Sequence, residues 1–307
     1  VSAAAQPPLL WGIDLGGTKI EGVVVDPADG YRPLARRRIP TERDRGYAHI
    51  LDRICLLIDQ LKAETGQAPA ALGIGTPGAL DPDTQAIKNS NTTCLIGQPL
   101  QRDLEARLGI PLRLANDANC FALAEARLGA AATDPPAEAV FGIILGTGVG
   151  GGLVIHGQVL EGRHAIAGEW GHNFLDASGG PCYCGRVGCV ETVLSGPALE
   201  AFYQREAGLA RRLPEIYARH QAGEDAYATA TIERLLRFFG QALASVINLV
   251  DPAVIVVGGG VGNIDLLYTA GAAQVKDHVF NPDLRTRILP PALGDSAGVF
   301  GAAMLWA

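Results

Sequence analysis

No apolar run of roughly 18 residues occurs in this chain of 307, so no helix is expected to span a membrane. The opening stretch, Val1 to Pro8, is rich in Ala and Pro. It lacks the charged and apolar regions of a signal peptide, which points to a frayed tail on a cytoplasmic protein. Basic charge is short as well. Against 32 Asp and Glu stand 25 Lys and Arg, and the net charge of −7 excludes a broad nucleic-acid footprint. That deficit leaves room for a small anionic ligand, because a loop of backbone N–H groups can hold phosphate on an acidic protein. Glycine, in contrast, is plentiful: 39 residues beside a 48% hydrophobic content describe a turn-rich α/β chain. Its length suits one large domain or two ordinary ones.

Cysteines are few, and their placement matters more than their number. Cys55, Cys94 and Cys120 sit in apolar or helical contexts and read as small buried hydrophobes. Cys182, Cys184 and Cys189 crowd together, with His172 upstream. Without a secretion signal such a cluster reads as metal binding before disulfide. Three thiolates and one imidazole would close a tetrahedral Zn²⁺ site, structural because no position is left for water. The segment from His172 to Glu191 has too few apolar residues to order itself. The metal would therefore fix it, along with Glu169 and Glu191 at its ends.

Strand and helix signals alternate along the chain. Leu9 to Asp26 reads as strand, glycine turn, strand. Tyr47 to Thr65 puts Ile50, Ile54, Leu57, Ile58 and Leu61 on one helical face. A short strand, 70–75, ends in Thr-Pro-Gly. Helices are expected over 100–108 and 119–128, with a strand over 112–115 between them. A second hairpin follows, its strands at Ala139–Leu145 and Leu153–Ile155. Shifting by about 130 residues lays Gly12–Val25 on Gly142–Ile155 with identities at Gly12, Ile13, Leu15, Gly16, Gly22 and Val24. Two such hairpins suggest a duplicated domain with a cleft between the copies. Helices near 197–206, 214–221 and 226–249 precede a buried strand, 254–257, which runs into Gly258-Gly259-Gly260.

The glycine loops fit neither common nucleotide motif. Gly146-Thr147-Gly148-Val-Gly-Gly151 matches G-x-G-x-x-G in letters, yet a strand follows it where a Rossmann unit needs a helix. Gly12-x4-Gly17 is followed by Thr18, not by the Lys of a Walker loop. What remains is a hairpin turn whose glycines let the backbone approach an anion closely. Asp14, beside the first turn, could hold Mg²⁺ through water next to bound phosphates. Asn116-Asp117 ends a strand just before a helix, at the sheet edge where open α/β sheets bind ligands. Asp117 could accept a proton from a hydroxyl attacking phosphorus. Equally, Asp117 or Asn119 could cap the following helix.

Asp-x-Gly-Gly-Thr-Lys at 14–19, Asn-Asp-Ala-Asn at 116–119 and Gly-Thr-Gly-x-Gly at 146–150 together resemble the ROK family. Gly-Glu-Trp-Gly-His at 168–172 and Cys-x-Cys-Gly-x-x-Gly-Cys-x-Glu at 182–191 resemble it too. The resemblance implies an actin–hexokinase-like (ribonuclease H-like) α/β fold with two lobes and a nucleotide cleft. The small N-terminal lobe would span 1–118, completed by a C-terminal helix at 295–307, and the large lobe 119–294. It implies an ATP- and Mg²⁺-dependent hexose kinase, a homodimer, that forms the 6-phosphate. Asp117 would be the base, with Gly78, Asn91, Asn116, Glu169, His172 and Glu191 around the sugar and His172 binding zinc as well. Asp14, Gly16, Gly17, Thr18, Lys19, Gly146, Thr147 and Gly148 would face phosphates and metal, and Gly258, Gly259 and Gly260 the adenosine. Within the family, residues 88–99 look most like bacterial fructokinases that accept mannose. N-acetylglucosamine kinases and glucokinases share much of the pattern. Cys94, Ile96 and Phe300 depart from it, standing where Trp, Asn and Arg are expected. Sugar-binding repressors of the family carry a DNA-binding module ahead of the first glycine turn, and the dozen residues before Gly12 are too few for one.

Overall fold

The structure is a computed structural model that describes residues 7–133 and 135–307. Most of the expected tail lies outside the described residues; Pro7 and Pro8 are exposed and irregular. The chain divides into two compact units. Unit 1 takes Val1–Ala124, Glu161–Ala167 and Asp295–Ala307, and unit 2 takes Glu125–Leu160 and Gly168–Gly294.

Unit 1 opens with the hairpin β1 (Leu10–Leu15) and β2 (Lys19–Asp26), extended by β3 (Arg32–Pro40). Helix α1 (Tyr47–Thr65) leads to β4 (Leu72–Thr76) and to a small hairpin of β5 (Ala79–Leu80) and β6 (Ile87–Lys88). Helix α2 (Leu100–Leu108), strand β7 (Leu112–Asn116) and helix α3 (Asp117–Arg127) follow. The main sheet runs β3-β2-β1-β4-β7. Alternation along β1 sends Trp11, Ile13 and Leu15 to one face, where the predicted apolar stripe of α1 is fully buried against them.

Unit 2 repeats the plan. Strands β8 (Ala139–Leu145), β9 (Val149–Ile155) and β10 (Gln158–Val159) form a meander. Helices α4 (Val190–Leu194), α5 (Gly196–Ala207), α6 (Leu213–Ala222) and α7 (Ala226–Val250) precede β11 (Val254–Gly258), α8 (Ala270–His278) and β12 (Arg287–Leu289). The sheet order is β10-β9-β8-β11-β12. Numbered within each five-stranded sheet, both read 3-2-1-4-5, which is the duplication that the two hairpins suggested. The long α7 buries an apolar stripe from Ile232 to Ile247 against this sheet.

Helix α9 (Ala297–Met304) covers the second face of the unit 1 sheet, with Val299 and Ala303 on Leu10, Val23 and Val25. Compared with the expected boundary at 118/119, the units part after Ala124, inside α3. The start of that helix packs with α9 through Cys120 and Ala302. Its buried Glu125 instead accepts the backbone N–H groups of Ala130, Ala292 and Leu293, all in unit 2. Residues 161–167 join unit 1 because Lys88 Nζ donates to the His164 carbonyl at 2.8 Å and Arg163 pairs with Asp83 at 3.3 Å.

Candidate active site

The 15–19 turn closes with the Gly16 N–H donating to the Lys19 carbonyl at 3.0 Å, and Thr18 and Lys19 stay exposed. The second turn is one residue shorter. Leu15 pairs with Ile20, but Leu145 pairs with Val149, and Gly146 N–H donates to the Gly148 carbonyl at 2.9 Å. The 130-residue shift thus holds along the first strand of each hairpin and slips in register along the second. Gly258 ends β11 buried, while Gly259 and Gly260 are exposed. Gly259 has φ +83°, and a Cβ there would lie 2.3 Å from the Leu145 carbonyl oxygen, so no side chain is tolerated at that crossing.

Asp14 lies near the end of β1, on the face covered by α9 and α3. A Cβ at Gly75 would sit 3.5 Å from its Oδ1, and one at Gly298 3.1 Å from Oδ2, so bare backbone walls the carboxylate on two sides. Burial pushes its pKa up to about 6; the negative charges of Asp117 and Glu21 add to the rise, and Lys19 and Arg38 offset part of it. A carboxylate in this setting fits a divalent cation, which would relieve both the desolvation and the repulsion. Its folded pKa is raised from 3.8, so folding binds protons between those two values. Metal-free stability should therefore fall as pH rises from about 4 to 6. Asp14→Asn is expected to stabilise the metal-free protein at pH 7.5 by roughly 2–3 kcal/mol, measured by urea unfolding. A destabilised variant would mean that the carboxylate makes native contacts worth more than its desolvation costs.

Asp117 begins α3. Its side chain is open to solvent, yet the protein packed around it still raises its pKa by desolvation, against the pull of N–H donors from Ala118 and its own backbone. Asn116 does the capping, its Oδ1 accepting the Asn119 N–H at 2.7 Å, while Asp117 Oδ1 accepts the Ala118 N–H at 2.8 Å. The capping alternative therefore falls to neither Asp117 nor Asn119. Among the described residues, three buried side-chain oxygens have no hydrogen-bond partner: Thr76 Oγ1, Thr92 Oγ1 and Asn119 Oδ1. Thr92 Oγ1 lies 3.5 Å from where a Cβ on Gly17 would be. No spacing rule singles out a threonine, so sequence reasoning passed over Thr76 and Thr92. Gly78 has φ +105° where the chain passes the Lys88 carbonyl, and Asn91 is exposed. Cys94 packs half-buried on the unit 1 core, and Ile96 is exposed.

In unit 2 the Gly-Glu-Trp-Gly-His segment is pressed onto β9. A Cβ at Gly168 would sit 2.6 Å from the Gly151 carbonyl, and one at Gly171 2.1 Å from that of Val149. Buried Trp170 donates to the Gly150 carbonyl at 3.1 Å and meets Phe141 edge-on. Glu169 and His172 are fixed on either side of that anchor. Glu191, the second residue of α4, accepts the Val149 N–H at 2.9 Å, and its Oε2 crowds Gly148. The expected sugar contact and the expected phosphate turn thus meet in one carboxylate. A groove of about 310 Å³ opens beside Thr147 and Glu191 and runs along α5 to Arg205 and Arg234.

His172, Cys182, Cys184 and Cys189 bring their ligand atoms within 4.8 Å of one another. His172 Nδ1 lies 3.6 Å from Cys182 Sγ, and Cys184 Sγ 3.6 Å from Cys189 Sγ. Ligands on a tetrahedral zinc stand about 3.5–3.8 Å apart, so the four fit that ion. His172 Nε2 is 2.9 Å from the Tyr183 hydroxyl. The exposed Tyr183 would have to move before that nitrogen could reach a sugar.

Duplicated sheets of this order, a buried acid beside a glycine turn and a carboxylate at a strand end define an actin–hexokinase-like phosphotransferase. Residues 10–307 match the ROK family, and the chain belongs to it. It is 35% identical to an N-acetyl-D-glucosamine kinase of Vibrio parahaemolyticus over 97% of this chain and 99% of the relative. The ROK hexokinase of Thermus thermophilus superposes with a TM-score of 0.87 at 34% identity, covering 97% of both chains. A ROK glucokinase of Streptomyces griseus, solved with glucose and AMPPNP, gives 0.76 at 30% identity over 97% of this chain and 99% of its own. The chain is an ATP-dependent sugar phosphotransferase. None of these three is named for fructose, so the fructokinase resemblance of residues 88–99 is not supported. Among the described residues no helix is long and apolar enough to cross a membrane.

Proposed function

We propose that the chain transfers the γ-phosphoryl group of ATP to the 6-hydroxyl of N-acetyl-D-glucosamine. The observation that carries the choice of sugar is the 35% identity, over nearly the whole chain, to a kinase named for it. Asp117 takes the proton of the attacking hydroxyl. An elevated pKa suits that task, since a carboxylate with a raised pKa is the stronger base toward the hydroxyl proton and is neutralised on taking it. The amides of Gly16, Gly17 and Thr18, with Lys19, and those of Gly146–Gly148 hold phosphate oxygens; Gly258–Gly260 border the adenosine. Asp14 would hold Mg²⁺, which when bound neutralises phosphate charge. Gly78, Asn91, Asn116, Glu169, His172 and Glu191 orient the sugar. His172, Cys182, Cys184 and Cys189 would hold zinc, which when bound orders the loop between Glu169 and Glu191.

Glucose is the second reading, favoured by the glucokinase solved with glucose among the similar structures. ADP release with ATP and Mg²⁺ against N-acetylglucosamine, glucose, mannose and fructose separates them. The expected order places N-acetylglucosamine first in kcat/KM by about tenfold or more, the scale of one well-made hydrogen-bonded contact. Turnover led by fructose would overturn the reading.

A further inference from the structure

Three residues stand abreast on the unit 1 sheet: Asp14 on β1 faces Glu21 on β2, and Glu21 faces Arg38 on β3. Residues directly opposed in antiparallel strands have Cβ atoms about 4.5–5.5 Å apart on a common face. Glu21 is 1% exposed, and both its oxygens are taken. Oε2 accepts from Arg38 Nε at 2.7 Å, and Oε1 from Nε of Arg36, two residues back on the same edge strand. One carboxylate thus holds two guanidinium groups, a local excess of one positive charge beside Asp14. Arg38 already acts on Asp14 electrostatically, across the width of Glu21.

We propose that Glu21 is a positioning residue that clamps Arg38 away from Asp14 and so keeps the Asp14 carboxylate available to Mg²⁺. The inference rests on the kinase reading above, in which Asp14 serves the metal. The logic is one of competition. The Arg38 side chain is 42% exposed and Glu21, not burial, fixes its guanidinium, so an Arg38 released from Glu21 is free to swing to the next carboxylate in its row. That carboxylate is Asp14, and an Asp14 paired with Arg38 is lost to a cation. Strand β2 needs no acid at position 21 for its own sake, since the neighbouring inward positions on that face, Val23 and Val25, are apolar.

The test compares wild type, Glu21→Gln and the double variant Glu21→Gln/Arg38→Met. Mn²⁺ binding in the presence of ADP is read by water-proton relaxation, and Mg²⁺ dependence by turnover. Glu21→Gln is expected to raise the half-saturating concentration of either metal by at least about tenfold, as an added charge at this range would, with kcat recovering at high Mg²⁺. The double variant, which removes the competitor, is expected to return metal binding to within about twofold to threefold of wild type. Unchanged Mn²⁺ affinity in a folded Glu21→Gln protein would overturn the proposal. So would a double variant that binds metal no better than the single one, because a merely structural Glu21 predicts no rescue. If Glu21→Gln alone does not fold, Glu21→Asp decides, since a shorter acid loosens the clamp and should weaken Mn²⁺ binding in the same direction. A wild-type chain with no turnover on any sugar would instead strike the kinase reading, and the Mn²⁺ arm still reads the clamp.

Discussion

Asp117→Asn is expected to yield a folded protein that phosphorylates its sugar about 10²–10⁴-fold more slowly, with little change in the KM for sugar. Each half of that result has its own cause. Folding survives because Asn116, not Asp117, caps α3, and because Asn keeps an Oδ1 for the Ala118 N–H. The fold even loses a burden, since Asp117 raises the pKa of Asp14 and is itself held in its charged form against desolvation. Chemistry suffers because an amide has no basic oxygen to take the hydroxyl proton as the bond to phosphorus forms. The glycine turns and the other residues proposed to bind sugar are untouched, so ground-state binding should persist and the loss should fall on kcat. Steady-state kinetics beside a thermal melt checks both halves at once. Wild-type kcat in a folded variant would return Asp117 to a structural residue. Loss confined to KM would make it a sugar ligand and no base.

The strand and helix pattern was legible where burial imposes one period. The stripe on α1 and the apolar strand at 254–257 could hardly be read otherwise, because their buried residues repeat at the helical spacing or run continuously. Strand β3 escaped, and its composition says why. It is an edge strand with only Ala35 buried, so its arginines carry no alternation to read. The clamp on Glu21 was hidden with it, since neither the acid nor its partners mean anything until the register of β2 and β3 is known. Asp14, Asp117 and the His/Cys cluster were candidates in the sequence because short local spacing holds their chemistry. Thr76 and Thr92 were not, because a buried hydroxyl is notable only once its lack of a partner is seen. The unit boundary inside α3 rests on Glu125, whose bonds reach 167 and 168 residues along the chain to Ala292 and Leu293, beyond any local signal. Choice of sugar was least legible, as departures at Cys94 and Ile96 sit at one half-buried and one exposed position.

Removing the metal site should cost order first and chemistry second. Purified protein is expected to carry about one zinc per chain, because the three cysteine sulfurs and a ring nitrogen of His172 lie within 4.8 Å of one another, two of the pairs at 3.6 Å. Cys184→Ser should lose that zinc and lower Tm by about 10 °C, the shift expected for several kcal/mol in a chain of this size. The path from metal to catalysis can be followed residue by residue. Cys189 is the residue at which α4 starts, and α4 carries Glu191 two positions on. Glu191 in turn accepts the Val149 N–H and crowds Gly148, so a slack α4 loosens the phosphate turn. His172 is tied in from the other side, its loop anchored on β9 by Trp170. Zinc loss should therefore raise the KM for ATP as well as for sugar, whereas Asp117→Asn is expected to leave zinc content unchanged and Tm no lower. Metal analysis, melting curves and both KM values on the two variants separate the site that shapes the protein from the residue that does the chemistry. A chelated, zinc-free chain with native Tm and full turnover would show that the four ligands hold their geometry without any ion.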